Sequence, residues 1–179
     1  MEAVVTDVFT KVETTIAVEA TPLSGPRAWF AFPNPVNDYA ARTTAGLVIA
    51  LAVAAIAVDQ WWLYAVLAVG FVLRVAGGPR YSPFGRLAVH VIVPKVVKKE
   101  KIVPGPPKRF AQAVGVAFSV TALILSLVGL GLAAQIVVGV LIVAAFLECA
   151  FGFCLGCYVF GHLQRAGVIP DSVCEACAR

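Results

Sequence analysis

An all-α integral membrane protein of four transmembrane helices, arranged as two antiparallel hairpins with both termini cytoplasmic, is the fold class this sequence predicts. Three observations predict it. Of the 179 residues 60% are hydrophobic and 13% charged, with a mean hydropathy of +0.90, whereas a soluble domain carries about 25% charged residues. Four apolar stretches are long enough to cross a bilayer, which takes about 20 residues of helix. Finally, the basic residues are confined to one side of those stretches. The same composition excludes a soluble fold, which could not bury this much apolar side chain at this size. It excludes a disordered chain as well, since disorder needs low hydrophobicity and high net charge. The net charge of +4 follows from membrane topology and does not indicate a nucleic-acid partner.

Residues 1–32 read as an amphipathic segment and connector. Val5, Val8, Phe9, Val12 and Ile16 recur at helical spacing among Asp7, Lys11 and Glu13, the pattern of a surface helix on the membrane or a docking helix for a partner. The β-branched run from Thr14 to Val18 leaves a strand open. The start lacks a basic region and an apolar core, so no cleaved signal peptide is expected. Four prolines between Pro22 and Pro35 mark an irregular connector.

Residues 33–163 form the expected bundle. Its first helix runs from Tyr39 to Val58, and Asp59-Gln60 makes a short turn in which Asp59 is the expected N-cap of the second helix, Trp61 to Gly77. Trp61, Trp62 and Tyr64 suit an interfacial aromatic belt. A basic loop, 78–109, follows. Its Pro79–Arg86 part is turn-rich, Leu87–Val93 is apolar apart from His90, and Lys95–Lys101 reads as a solvated tip near anionic lipid. The third helix is expected from Phe110 to Val128, Gly129-Leu130-Gly131 turns the chain, and the fourth runs from Ala133 to about Phe160. Residues 164–179 form a cysteine-containing tail.

Orientation follows from charge. Arg74, Arg80, Arg86, Lys95, Lys98, Lys99, Lys101, Lys108 and Arg109 lie at or between the second and third helices, Lys11, Arg27, Arg42, Arg165 and Arg179 lie on the terminal segments, and the two opposite turns have no Lys or Arg. By the positive-inside rule the termini and central loop face the cytoplasm of a plasma-membrane protein. Sliding the chain by about 71 residues superposes the hairpins, with Pro33-Asn34-Pro35 on Pro104-Gly105-Pro106 and Ser82–Arg86 on Phe153–Cys157. This is either a two-fold repeat about the membrane normal or the match any two apolar hairpins give.

All five cysteines fall in the last part of the chain: Cys149, Cys154, Cys157, Cys174 and Cys177. Four form two C-x2-C pairs separated by 16 residues. Three readings compete. The pairs are redox-active dithiols exchanging electrons or sulfane sulfur with a carrier; or they are a four-thiolate zinc site pinning the tail; or they are small residues packed among helices. Permanent structural disulfides are disfavoured on the reducing side of a membrane. Cys154 and Cys157 share a helix face if the helix continues through Gly152 and Gly156, but the glycines also permit a break with backbone lining a cavity. Glu148 is the sole acid deep in an expected span. It is either a proton donor or acceptor for the thiols, or a structural partner of Gln112, Gln135, Ser119, Thr121, Arg74 or Arg42. Cys149, on another face, is expected to pack. His90 and His162 do not suit a bis-imidazole haem, and no Ser/His/Asp set, phosphate loop or dinucleotide fingerprint has candidates.

The segments Phe32-Pro33-Asn34-Pro35-Val36-Asn37, Pro107-Lys108-Arg109-Phe110-Ala111-Gln112 and Phe151-Gly152-Phe153-Cys154-Leu155-Gly156-Cys157 resemble the bacterial membrane proteins called domain of unknown function 4395. The resemblance covers about Phe32 to Cys177 and is most specific at the cysteine motif. It implies a compact four-helix membrane protein with a cysteine-rich C-terminal end, considered alongside thioredoxin-like or rhodanese-like partners, and names no catalytic residue.

Two functional expectations result. In one, the protein is a membrane thiol/disulfide redox or sulfur-relay protein, with Cys154 and Cys157 as intramembrane dithiol, Cys174 and Cys177 as shuttle, and Glu148 managing protons. In the other, it is a non-enzymatic scaffold or accessory subunit in which Cys154, Cys157, Cys174 and Cys177 bind zinc. A substrate carrier gains little from two tight hairpins and one buried acid.

Overall fold

The structure, a computed structural model, describes residues 32–98, 101–174 and 177; the amphipathic N-terminal segment expected at the start of the chain lies outside them. Chain entry into the membrane is organised by a short antiparallel pair, β1 (Val36–Asn37) with β2 (Ile102–Val103), which the connector expectation did not include. Asn34 Oδ1 accepts from the Gly105 amide at 2.9 Å, and the Asp38 amide donates to the Lys101 carbonyl at 2.7 Å. The strands therefore tie together the beginnings of two helices distant in sequence, α1 (Asp38–Val58) and α4 (Gly105–Leu127).

Asn37 starts α1 by accepting the Tyr39 amide on its side chain at 3.0 Å, satisfying one of the free donors of the first turn. Asp59 ends α1 instead of starting the next helix. It adopts a left-handed conformation (φ 50°) and its amide bonds the Ala55 carbonyl at 3.0 Å, a conformation Asp tolerates better than most residues. Gln60 holds the N-cap position of α2 (Trp61–Gly77) without a side-chain bond, while Asp59 Oδ1 accepts from the Tyr64 hydroxyl at 3.4 Å. After α2 come a 3-10 turn (Gly78–Arg80), the short α3 (Pro83–Leu87) and a wider π-helical continuation (Ala88–Val97). The central segment is thus largely helical rather than loop.

α4 begins five residues before the expected Phe110. Pro106 and Pro107 sit in its first turn, where amides have no intrahelical partner and proline fits; the consequence is that Lys108 enters the span. α5 (Gly131–Phe146) runs into a π-helical turn (Leu147–Phe151) and stops at Gly152, whose φ of 70° is left-handed. The expected single helix to Phe160 is therefore two, because the chain turns at Gly152 and restarts as α6 (Leu155–Arg165).

Four helical runs are long and apolar enough to cross a membrane: Asp38–Val58, Trp61–Lys95, Gly105–Leu127 and Gly131–Phe151. α1 packs on α2 and α5, and α4 on α2, α5 and α6. The core is built from Ala52, Ala55, Tyr64, Leu67, Phe71, Ala122, Ala134 and Val138. Outward-facing Val66, Val69, Ile136 and Val140 are exposed, whereas Asp38, Arg74 and Lys108 are buried. Apolar residues outside and charges inside suit a lipid environment, where the exterior needs no water-compatible groups and buried polar groups must find partners within. The protein is a multi-pass, all-α membrane protein.

Close approach of α2 and α4 depends on Gly115, where a Cβ would fall on the Phe71 ring. Gly115→Leu should lower stability by about 1–3 kcal/mol through overpacking, whereas Ala113→Leu on the exposed side of the same helix should be near neutral. Thermal melts in detergent check both.

Candidate functional site

At the end of the bundle where α1 and α4 begin, Lys108 lies between two carboxylates. Its Nζ is 2.9 Å from Asp38 Oδ1 and donates to Glu148 Oε1 at 2.8 Å. All three side chains are almost wholly buried. Each comes from a different element: Asp38 from the first turn of α1, Lys108 from the first turn of α4, and Glu148 from the π-turn after α5. Asp38 gains from the positive end of its helix, but Lys108 sits against the positive end of its own, so the carboxylates are what hold the ammonium there. Exposed Lys101 stands 3.9 Å from Asp38 Oδ2 and adds little, as solvent-facing pairs do.

Beside this triad the chain makes the turn that presents the first cysteine pair. The Arg42 guanidinium donates to the carbonyls of Cys149 (3.2 Å) and Ala150 (2.8 Å), satisfying acceptors at the end of the π-turn. After Gly152 the backbone is extended at Cys154, which takes the N-cap position of α6: its Sγ accepts the Cys157 amide at 3.4 Å. Gly156 lets the new helix approach α4, since a Cβ there would meet Ala111 Cα. Edge-on packing of Phe110 against Phe160, centroids 5.8 Å apart, supports the same contact. Ser82 holds the equivalent place before α3. It is fully buried, and its Oγ accepts the Gly85 amide at 3.4 Å.

The two thiols are unequal. A hydrogen bond from Cys157 pulls the Cys154 thiol below the usual thiol range; the charge of Lys108 also lowers it, against burial and the charge of Glu148. The same hydrogen bond, together with burial, pushes Cys157 well up. Cys154 is therefore the more acidic thiol of the pair, and helix N-terminal amides aimed at a sulfur favour its anion. Cys154, Glu148, Arg74 and Gln112 line one cavity of about 100 Å³ between α1, α2, α4 and α5.

The second pair stands elsewhere. Cys174 and Cys177 form a disulfide with Cα atoms 5.3 Å apart. The Cys174 carbonyl accepts from Gln164 Nε2 at 3.0 Å, which fastens the tail near the far end of α6, about 15 Å along the helix from Cys154 at 1.5 Å per residue. One pair is thus oxidised and the other free. Among the described residues no group of three or more His, Cys, Asp or Glu could hold a metal ion, so the four-cysteine zinc site finds no support: sulfurs joined in a disulfide are not thiolate ligands. Cys149 packs over Gly46, as expected of a packing residue, and His90 and His162 are exposed.

Sequence reasoning singled out Glu148 but named other partners for it, and it placed Lys108 in the basic loop and passed over Asp38. The usable signal is position. Lys108 directly follows two prolines that open a helix, and Asp38 directly follows a capping Asn37.

The family model described as Domain of unknown function (DUF4395) matches residues 36–165, well over half of the chain. The chain belongs to this family. Among curated proteins and among solved structures nothing matches. In this DUF4395 protein the matched region holds the triad, the cavity and the first cysteine pair, and ends at Arg165 before the second pair.

The pH dependence of Cys154 alkylation tests the assignment. Its inflection should lie below the ordinary thiol value of about 8.5. Removing a group that favours the thiolate raises it, so Cys157→Ala and Lys108→Met should shift it upward, and Glu148→Gln should shift it downward. Lys108→Met also leaves two carboxylates without their buried cation and should cost about 3–5 kcal/mol of stability; Glu148→Gln, which leaves the Asp38 pair intact, should cost less. Mass spectrometry of alkylated peptides and thermal melts read these out.

Proposed function

We propose that this protein is a thiol/disulfide redox or sulfur-relay protein of the plasma membrane, acting at its cytoplasmic face. The observation that carries the reading is Cys154: a sulfur at a helix N-terminus, bonded by the Cys157 amide, beside Lys108 and lining a mostly apolar cavity that Arg74, Gln112 and Glu148 also line. In the forward step the Cys154 thiolate attacks one sulfur of a disulfide on a soluble carrier of thioredoxin-like or rhodanese-like type. A mixed disulfide forms and the carrier's other sulfur leaves as a thiolate. Cys157 then gives up its proton and attacks Cys154, closing the Cys154–Cys157 disulfide and releasing the carrier as a dithiol. Two electrons and the Cys157 proton pass to the carrier, whose second thiolate takes its proton from solvent, and the reverse sequence reduces the pair. Cys174 and Cys177 are the exchange pair of the tail, cycling between the disulfide present here and a dithiol. Glu148 acts through Lys108: paired with it, the carboxylate sets the charge around Cys154 rather than carrying the proton itself.

The cytoplasmic placement is supported by the basic residues at this end and their absence from the opposite turns. A two-fold relation between the halves is supported by the matching caps, Ser82 and Cys154, and by the hydrogen bond between Asn34 and Gly105. The caps correspond one residue further along than a shift of 71 would place them. One half then has a hydroxyl where the other has the reactive thiol.

Rapid acid quenching and thiol trapping in cells should find Cys154 and Cys157 partly oxidised, and Cys157→Ser should accumulate a mixed disulfide at Cys154 with a soluble protein. Cysteines that keep one oxidation state under all conditions would defeat the reading. After the Cys174–Cys177 disulfide is reduced, a membrane-impermeant maleimide should leave the tail unlabelled in intact cells and label it in opened ones; labelling from outside would reverse the orientation.

A further inference from the structure

Arg74 is a buried charged group that this mechanism does not use. It lies on α2 at 4% exposure, within a membrane-crossing run. Its Nε donates to the Gly70 carbonyl at 3.0 Å, and its guanidinium carbon lies 4.2 Å from the centroid of the Phe71 ring. Its Nη2 is buried with no hydrogen-bond partner, and so is Gln112 Oε1. Both residues line the cavity that Cys154 lines. Buried polar groups in folded proteins are nearly always paired, and an unpaired guanidinium is especially costly inside a membrane protein. The cavity thus contains an unused cationic donor, an unused neutral acceptor and a reactive sulfur, beside a Glu148 carboxylate whose charge is already paired with Lys108. Its volume of about 100 Å³ is below the roughly 150 Å³ of a cavity that holds benzene, which is room for a small ligand.

We propose that this cavity binds hydrosulfide, a small anion that accepts from Arg74 Nη2 and donates its one proton to Gln112 Oε1, and presents it to Cys154. The assignment rests on the redox reading above for its chemistry, although not for its binding. With the Cys154–Cys157 pair oxidised, hydrosulfide attacks Cys154 Sγ. A sulfur–sulfur bond forms to the incoming atom, the bond to Cys157 breaks, and Cys157 leaves as a thiolate that takes a proton from solvent. The products are a Cys154 persulfide and a Cys157 thiol; the incoming sulfur is oxidised, and the disulfide is reduced. Cys154 is the catalytic residue of this step, and Arg74 and Gln112 bind the substrate. The single proton distinguishes hydrosulfide from a halide.

Two measurements on the purified full-length protein test this. In the reduced protein, sulfide should slow alkylation of Cys154 relative to Cys149. Gln112→Leu and Arg74→Lys should each weaken that protection about tenfold or more, the expected loss for one hydrogen bond to a charged partner. Equal protection by chloride, or protection unchanged in both variants, would overturn the site. In the oxidised protein, sulfide should add one sulfur atom to the Cys154 peptide by mass, and both variants should slow that addition while leaving reduction by dithiothreitol unchanged. Sulfur found on Cys157 instead, or equal slowing with dithiothreitol, would also overturn it. If sulfide protects Cys154 but the pair never oxidises, the redox reading fails and the anion site stands. If the pair cycles with dithiothreitol but sulfide has no effect, the anion site fails alone.

Discussion

A lysine ammonium held between two carboxylates, Lys108 with Asp38 and Glu148, is the interaction on which the site end of this molecule depends. In water each charge would be well solvated; inside an apolar bundle each would be costly alone. Together they join the starts of α1 and α4 to the end of α5, three elements that apolar packing alone would hold only loosely in register. The β1–β2 pair and the Asn34–Gly105 bond act at the same level of the bundle, so the ends of the helices are tied by directional bonds while their middles are packed by small residues against Phe71 and Tyr64.

From this fixed end the placement of sulfur follows. Glu148 belongs to the wider π-turn that closes α5, and Gly152, in a left-handed conformation, ends it immediately afterwards. The turn frees carbonyls, which Arg42 binds, and lets Cys154 begin a new helix against α4. A cysteine in the middle of a continuous helix would have its backbone neighbours already paired. A cysteine at an N-cap receives an amide hydrogen on its sulfur, and that is one reason the two thiols of the pair differ so strongly. Ser82 shows the same local solution with a hydroxyl, which makes the arrangement a property of the turn and the reactivity a property of the atom placed in it.

The two cysteine pairs, alike in spacing, have different surroundings. One is a free pair at the edge of a charged cavity; the other is a disulfide fastened beside Gln164 near the far end of α6. Equal motifs thus serve as a protected reaction centre and a peripheral exchange pair in the proposed cycle, with α6 as the element that spaces them.

The membrane character, the four apolar runs and the concentration of cysteines near the C-terminus are all set by residue types and their order, because bilayer solvation acts on each segment separately. Glu148 stood out for the same reason: a carboxylate in an apolar run is costly wherever the run packs. The partners were not legible. Lys108 reads as one more basic loop residue until two prolines are seen to open the helix before it, and Asp38 reads as an ordinary flank. Whether Asp59 ends one helix or begins the next, and whether the fourth run breaks at Gly152, turned on backbone conformations that neighbouring elements stabilise. The division of four similar cysteines into a free pair and a bonded one, and the meeting of Arg74, Gln112 and Cys154 around one cavity, came only from tertiary structure, because these groups are brought together by helix packing across distances in the chain that no local pattern records.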